Sequence, residues 1–360
     1  MLYSASNVPS LSLINELEGA NWDYGAPLAD MKRLARKWGS DEYDWRKHEK
    51  MLNDKLPQFT RDIEVEDFGP LDIHYIHQKS TVPGAIPLLF VHGWPGSFFE
   101  VLKISPLLVE KSPDHPSFHG PPKFPCRSLY SPSNCSVTQG GDWGHLITRR
   151  QAVLYGEEHV KAWHSNFPLT NPPHSLSEDP SRYSKREQEG LKHTQWYQSR
   201  SSGYFVEQST QPQTLGYGLA DSPLGLLGWL FEKLVVWTDE YPWTDDEILT
   251  WISIYWFSRP GPAASIRIYY EVTKGNPVAN PVLAQMEHTT VPMGYSYFPK
   301  ELISLPRSWL KAPNLVFESE HERGGHFAAY EKPEALVGDL RRMFGKGGPA
   351  FGVVPGKSGY

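Results

Sequence analysis

The stretch SVTQGGDWGHLITRR, residues 136–150, holds the feature on which the fold turns. A β-branched run enters a Gly-Gly bend, one acid stands at the bend, and a helix-like segment leaves it. Glycine at 140, 141 and 144 suits a backbone forced into a cramped or positive-φ turn. By itself the stretch supports two readings. Asp142 either caps the following helix from a Gly-rich turn, or is displayed for chemistry at a strand-to-helix turn. The rest of the chain decides.

The chain has 360 residues, 39% hydrophobic and 13% aromatic, enough for one large core or a core with an inserted cap. Net charge is −6, from 35 basic and 41 acidic side chains, with no basic stripe, so nucleic acid is not an expected partner. The opening MLYSASNVPSLSLINELEGANWDYG lacks a basic region followed by an apolar one. No apolar run approaches the ~18 residues of a spanning helix. A soluble, cytoplasmic chain without a transmembrane anchor is expected. Cys126 and Cys135 form neither a disulfide framework nor a metal motif and are expected as free thiols. The NCS sequon at 134–136 is read as accidental.

Along the chain, APLADMKRLARKWG and DEYDWRKHEKMLNDKL show helical spacing between Gly and Pro breaks. FTRDIEVEDFG and LDIHYIHQKS then alternate as strands, and AIPLLFVHG (85–93) reads as a buried strand of parallel type. FFEVLKISPLLVE is helix-like. After residues 136–150, VKAWHSNFP is a further strand candidate, and the polar stretch 170–200 opens an inserted helical region reaching to about residue 272. TVPMGYSYFP (290–299) and NLVFESE (314–320) resume strand patterning, and KPEALVGDLRRMF closes as a helix. The Gly/Pro-rich tail GKGGPAFGVVPGKSGY is expected to be mobile. Strands alternating with helices predict a mostly parallel α/β sheet.

Three points then align. His92 follows one strand, Asp142 stands at its elbow, and His326 lies in HERGGHFAAYEKPE past the last strand. Chemistry in open α/β sheets collects at strand carboxyl ends. An acid to orient the histidine is available as Glu301 in YFPKELISLP. A histidine after Gly-Gly is by itself more often a loop residue, and a lone Glu301 an ordinary exposed carboxylate. Their shared position reverses that weighting. The order Asp142, Glu301, His326 is nucleophile, acid, histidine, and TQGGDWG is close to the G-x-S-x-G elbow of α/β-hydrolases, with aspartate for serine and the glycines shifted by one position.

FVHGWPGSFFE, TQGGDWG, SGYFVEQSTQPQTLGYGLADSPLGLLGWLFEKLVVWTD, YFPKE and ERGGHFAA together resemble the epoxide hydrolases of the microsomal type, especially the soluble fungal and bacterial members. The resemblance runs from about residue 10 to about 345. It implies an α/β-hydrolase fold with an inserted helical cap, and an N-terminal segment (the likeness covers 10–110) that wraps the core. The implied divisions are 1–80 for that segment, 81–168 and 276–345 for the two core halves, 169–275 for the cap, and 346–360 for the tail. It further implies conversion of epoxides to vicinal diols through an ester on Asp142, hydrolysed by water that His326 and Glu301 activate. Backbone N–H groups of Trp94 and Trp143 would form the oxyanion hole, with His92, Gly93 and Pro95 shaping that turn. Tyr204, in SSGYFVEQ, and Tyr269, in SIRIYYEV, would donate protons to the opened ring, Tyr270 being the alternative if the register slips by one. Trp229, Trp237, Trp243, Trp251 and Trp256 are expected to pack the cap. No cofactor or metal is implied; the partners are an epoxide and water, and the homodimers common among relatives are left open.

Carboxylate chemistry is consistent with this. Serine would be left as an alkyl ether after ring opening, whereas aspartate forms an ester that water can cleave. The chain departs from the family at 112–138, where KSPDHPSFHGPPKFPCRSLYSPSNCS replaces a longer passage with a core strand, Gly-rich loop and helix. A deletion or misjoined coding segment, and a core incomplete there, are expected. An impaired homologue and a haloalkane dehalogenase-like hydrolase are the alternatives.

Overall fold

The computed structural model describes residues 15–120, 136–171, 180–276 and 287–360. In chain order the strands are β1 (Gln58–Val65), β2 (Gly69–Ile76), β3 (Ile86–Val91), β4 (Phe118–His119), β5 (Ser136–Gly140), β6 (Val160–Ser165), β7 (Met293–Tyr297) and β8 (Leu315–Glu320). The helices are α1 (Leu28–Trp38), α2 (Trp45–Lys55), α3 (Val101–Val109), α4 (Trp143–Tyr155), α5 (Lys185–Trp196), α6 (Gly203–Thr210), α7 (Pro212–Asp221), α8 (Pro223–Val236), α9 (Asp245–Trp256), α10 (Arg267–Thr273), α11 (Arg307–Leu310), α12 (Ala328–Glu331) and α13 (Pro333–Phe344).

β1 and β2 pair antiparallel as a separate hairpin, while the main sheet has the order β4-β3-β5-β6-β7-β8. Every neighbouring pair in it is parallel. That explains the two sequence patterns. The hairpin alternates and leaves Phe59 and Leu71 exposed, whereas β3 is covered on both faces and reads as IPLLFV without alternation. Successive residues of β6 divide between two cores. Ala162 joins Leu88, Ile104, Leu336 and Leu340, contributed by the sheet, α3 and α13; Trp163 joins Ala152, Met293 and Leu310, contributed by the sheet, α4 and α11. Burying each leucine, isoleucine or methionine among them contributes about 1.5–3 kcal/mol relative to exposure.

Compact packing groups the chain into two units. The unit with the sheet spans Leu52–Ser201 and Val282–Tyr360. It includes α5, because Thr194 Oγ1 accepts from the Ser304 N–H at 2.8 Å, Glu187 accepts from the Arg307 N–H at 3.0 Å, and Arg186 pairs with Glu320 at 2.5 Å. The other unit joins the described residues of Met1–Met51 to those of Ser202–Pro281. There α1 packs on α8 and α9, Lys37 pairs with Asp246 at 2.7 Å, and Trp22 lies 5.4 Å from the Phe231 ring. Trp237 and Trp251 are fully buried, and Trp243 donates to the Leu234 carbonyl at 2.9 Å. Chain order therefore does not mark these divisions, since the N-terminal helices pack with helices far along the sequence.

One expectation is corrected. The tail is docked, not mobile: the Gly359 N–H donates to the Gly84 carbonyl at 2.7 Å, the Gly359 carbonyl accepts from Ser117 N–H at 2.8 Å, and Ala350 and Val354 enter the core. Its small residues permit that close approach. At the elbow glycines the cramped reading holds, since neighbouring groups approach all three closely, while the positive φ falls on Asp142. The departure at 112–138 is represented by β4, only two residues long, and residues 121–135, with both cysteines, lie outside the described residues. Beside β4 is a cavity of about 380 Å³, lined by Ile73, Leu88, Phe90, Val101, Phe118 and Gly120.

Candidate active site

The elbow is built by close packing. Asp142 has φ 51° and ψ −129°, in the left-handed half of backbone space where non-glycine residues are strained. The first turn of α4 presses on the end of β3, so a Cβ at Gly144 would lie 2.0 Å from the Val91 carbonyl oxygen; one at Gly140 would lie 2.3 Å from that of Gly144. Only glycine allows the strand, turn and helix to close this tightly. The carboxylate is thereby carried out over the strand ends, with its side chain 12% exposed.

Two loops meet it. After β3, the Trp94 N–H donates to Asp142 Oδ1 at 2.8 Å. A Cβ on Gly93 would stand 1.8 Å from that oxygen and 2.7 Å from the Trp143 nitrogen. From the loop after β8, His326 Nε2 lies 3.5 Å from Asp142 Oδ2. His326 Nδ1 is 2.6 Å from Glu301 Oε1, which also accepts from the Leu302 N–H at 2.8 Å. Backbone bonding from Lys300 to Gly324 (3.0 Å) ties the loops carrying Glu301 and His326. The His326 ring is fully buried and walled by Phe167 at 5.7 Å, Phe327 at 5.2 Å and His92 at 5.2 Å. The two oxygens of Asp142 thus face different partners: a backbone donor on one side, an acid-oriented imidazole on the other.

The profile "Epoxide hydrolase N terminus" matches residues 6–101. Epoxide hydrolase 1 of Sus scrofa is 34% identical, with 94% of this chain and 84% of that protein aligned. This chain belongs to the epoxide hydrolase family. The solved epoxide hydrolase of Aspergillus niger superposes with a TM-score of 0.74 at 31% identity, covering 92% of this chain and 90% of that one. The juvenile hormone epoxide hydrolase of Bombyx mori gives 0.75 at 26% identity, over 92% and 88%. The α/β-hydrolase fold of the family accounts for the parallel sheet. No helix among the described residues is long and apolar enough to cross a membrane.

The other two sequence candidates lie in the unit of Met1–Met51 and Ser202–Pro281. Tyr204 on α6 and Tyr269 on α10 are buried, with ring centroids 5.8 Å apart at 84°. Tyr204 also packs on Trp237 at 5.0 Å, and the Lys233 ammonium lies 5.4 Å from its ring. Tyr269 is 1% exposed and Tyr270 41%, so the tyrosine packed against Tyr204 is Tyr269.

Sequence reasoning missed two groups in this epoxide hydrolase. Glu100 is fully buried with an oxygen 3.1 Å from His92 Nδ1. Behind the elbow, Gln139 donates to Asn166 at 2.6 Å; a Cβ on Gly141 would meet that Asn166 oxygen at 2.7 Å. For Glu100 the signal was present in GWPGSFFE, where small residues leave room for an acid turned back on the loop. Asn166 carries no such signal.

Proposed function

We propose that this epoxide hydrolase forms vicinal diols through an alkyl ester on Asp142. Asp142 Oδ2 attacks a ring carbon, the carbon–oxygen bond breaks, and the alkoxide takes a proton from Tyr204 or Tyr269. Tyrosine is an apt donor because its ordinary pKa near ~10 keeps it protonated at neutral pH. Water then gives a proton to His326 Nε2 and adds to the Asp142 carboxyl carbon. Charge gathers on Oδ1, where the Trp94 N–H already donates and the Trp143 N–H lies close by. One such donor is typically worth about 3 kcal/mol. Collapse expels the diol oxygen, which takes the proton back from His326, and the proton left on the new Asp142 carboxyl passes through water to the tyrosinate, so that both groups return to their starting state.

The observation that carries this reading is the division of labour at Asp142: Oδ1 on a backbone donor at 2.8 Å, Oδ2 at 3.5 Å from an imidazole whose far nitrogen rests on Glu301. That arrangement suits a carboxylate which becomes an ester and is then cleaved at its own carbonyl.

The test is a single turnover in heavy-oxygen water. The label is expected in the Asp142 carboxylate, with unlabelled first-formed diol. Label appearing directly in that diol would mean that water attacks the ring, and the ester scheme would be wrong.

A further inference from the structure

Beneath the loop after β3 lies a second acid–imidazole pair. Ser97 accepts from the Phe99 N–H at 3.1 Å and caps a 3₁₀ turn, Phe98–Glu100, that folds Glu100 back under the loop. Gly96 makes this possible: a Cβ there would fall 1.8 Å from Glu100 Oε1. The carboxylate, fully buried, meets His92 Nδ1 at 3.1 Å, and the ring's other nitrogen, Nε2, lies 3.3 Å from the backbone carbonyl of His326.

Each ring nitrogen of His92 therefore has an oxygen close by, Nε2 the carbonyl as a hydrogen-bond acceptor and Nδ1 the carboxylate at ion-pair distance without hydrogen-bond alignment. A neutral imidazole with its N–H on Nε2 would turn a lone pair toward the Glu100 carboxylate; the cation presents an N–H to each side. Four titratable groups bear on His92 from the elements packed around it: Glu100 from the 3₁₀ turn, Asp142 from the elbow, Glu301 from the loop after β7, and His326 from the loop after β8. Three of these are acids.

We propose that Glu100 and His92 form a permanent buried ion pair, with His92 as the positive counter-charge to the carboxylates of the site and the positioning residue that holds the His326 backbone. Burial opposes the charge on His92, but Glu100, with help from Asp142 and Glu301, outweighs it and pushes the imidazole up to about 9. The ring is then an imidazolium across the working range and carries its proton through both chemical steps unchanged. His326 is left to do the proton transfer. The proposal rests on Asp142 and His326 acting as described above.

The experiment uses the full-length protein labelled with ¹³C and ¹⁵N, the His92 ring signals being assigned by through-bond correlation to the residue's own backbone. In the wild type both His92 nitrogens are expected to report N–H up to about pH 8–9. Titration of His92 near its ordinary ~6.5 would overturn the proposal even if no variant folds. In Glu100→Gln, with a circular-dichroism spectrum matching wild type, His92 is expected to lose its proton by about pH 8, and kcat for an aryl epoxide to fall about 100-fold there, as for one misaligned group. Activity should recover toward acid as His92 is recharged. His92→Gln should instead be impaired at every pH. A Glu100→Gln profile scaled down equally at all pH values would mark a merely structural role and sink the proposal. Full turnover by Asp142→Ala would refute the nucleophile reading, whereas the His92 titration judges the ion pair independently.

Discussion

Gly93→Ala tests the steric logic of the site. The added methyl would stand 1.8 Å from Asp142 Oδ1, 2.7 Å from Cγ and 2.7 Å from the Trp143 nitrogen. Ordinary contact begins near ~3.5 Å, so the carboxylate or the loop must retreat by about 1.7 Å. Either movement lengthens the 2.8 Å bond from the Trp94 N–H and the 3.5 Å approach of His326. A misplacement of about 1 Å in a reacting group costs on the order of 10²-fold, or about 3 kcal/mol of barrier. Rapid-quench measurement of ester formation and steady-state diol production should both fall by about 100-fold or more. The far-UV circular-dichroism spectrum should be preserved, because the clash is confined to the loop end. A Gly93→Ala enzyme turning over within about threefold of wild type would refute the packing argument, since so small a change is under 1 kcal/mol.

Further outcomes are expected. His326→Gln should still open the ring but accumulate the alkyl-enzyme, seen as a covalent mass increase in the intact protein; normal diol release would exclude His326 as the base. Tyr269→Phe should slow ring opening by about 10²-fold, the usual scale of a general acid, while the exposed Tyr270→Phe should leave single-turnover rates unchanged. Stability measured by urea unfolding should peak near pH ~6.5 as far as the buried histidines decide it. Burial holds His145 down to about 3 and His164 to about 4, so on acidification the unfolded chain takes up both protons first. Stability should then fall by about 1.4 kcal/mol per pH unit for each of these histidines. His92, raised to about 9 by Glu100 against its burial, acts oppositely: its contribution is complete below about pH 6.5 and lost as pH rises through about 9. A stability profile flat from about pH 4 to 6 would contradict the neutral burial of His145 and His164.

The features legible in sequence were those with a local cause. Continuous apolar runs announced the strands covered on both faces, and the order of Asp142, Glu301 and His326 followed from their places after β5, β7 and β8. What escaped depends on distant partners. Nothing local in the tail says that Gly359 will bond to Gly84 and Ser117, or that Val354 will complete a core. The acid Glu100 lies only a short loop from His92, yet its burial arises from a turn capped by Ser97 and a missing side chain at Gly96. Of the two reasons the elbow glycines offered, the cramped bend is the one that applies: they admit neighbouring backbone, and the unusual φ belongs to the acid beside them. The pairing of α1 with α8 and α9 is likewise a matter of tertiary fit that helical periodicity does not encode.

The backbone at Asp142 sets thermodynamic interest against use. Holding a β-substituted residue at φ 51° forfeits on the order of 1–3 kcal/mol, a sizeable fraction of a typical folding free energy. On the mechanism proposed above, replacing Asp142 by glycine would relax that bend and remove the nucleophile in one stroke, yielding a sturdier but inert protein. Screens for heat tolerance alone would thus favour discarding the reactive group, and any thermostabilisation of this hydrolase has to select for turnover at the same time.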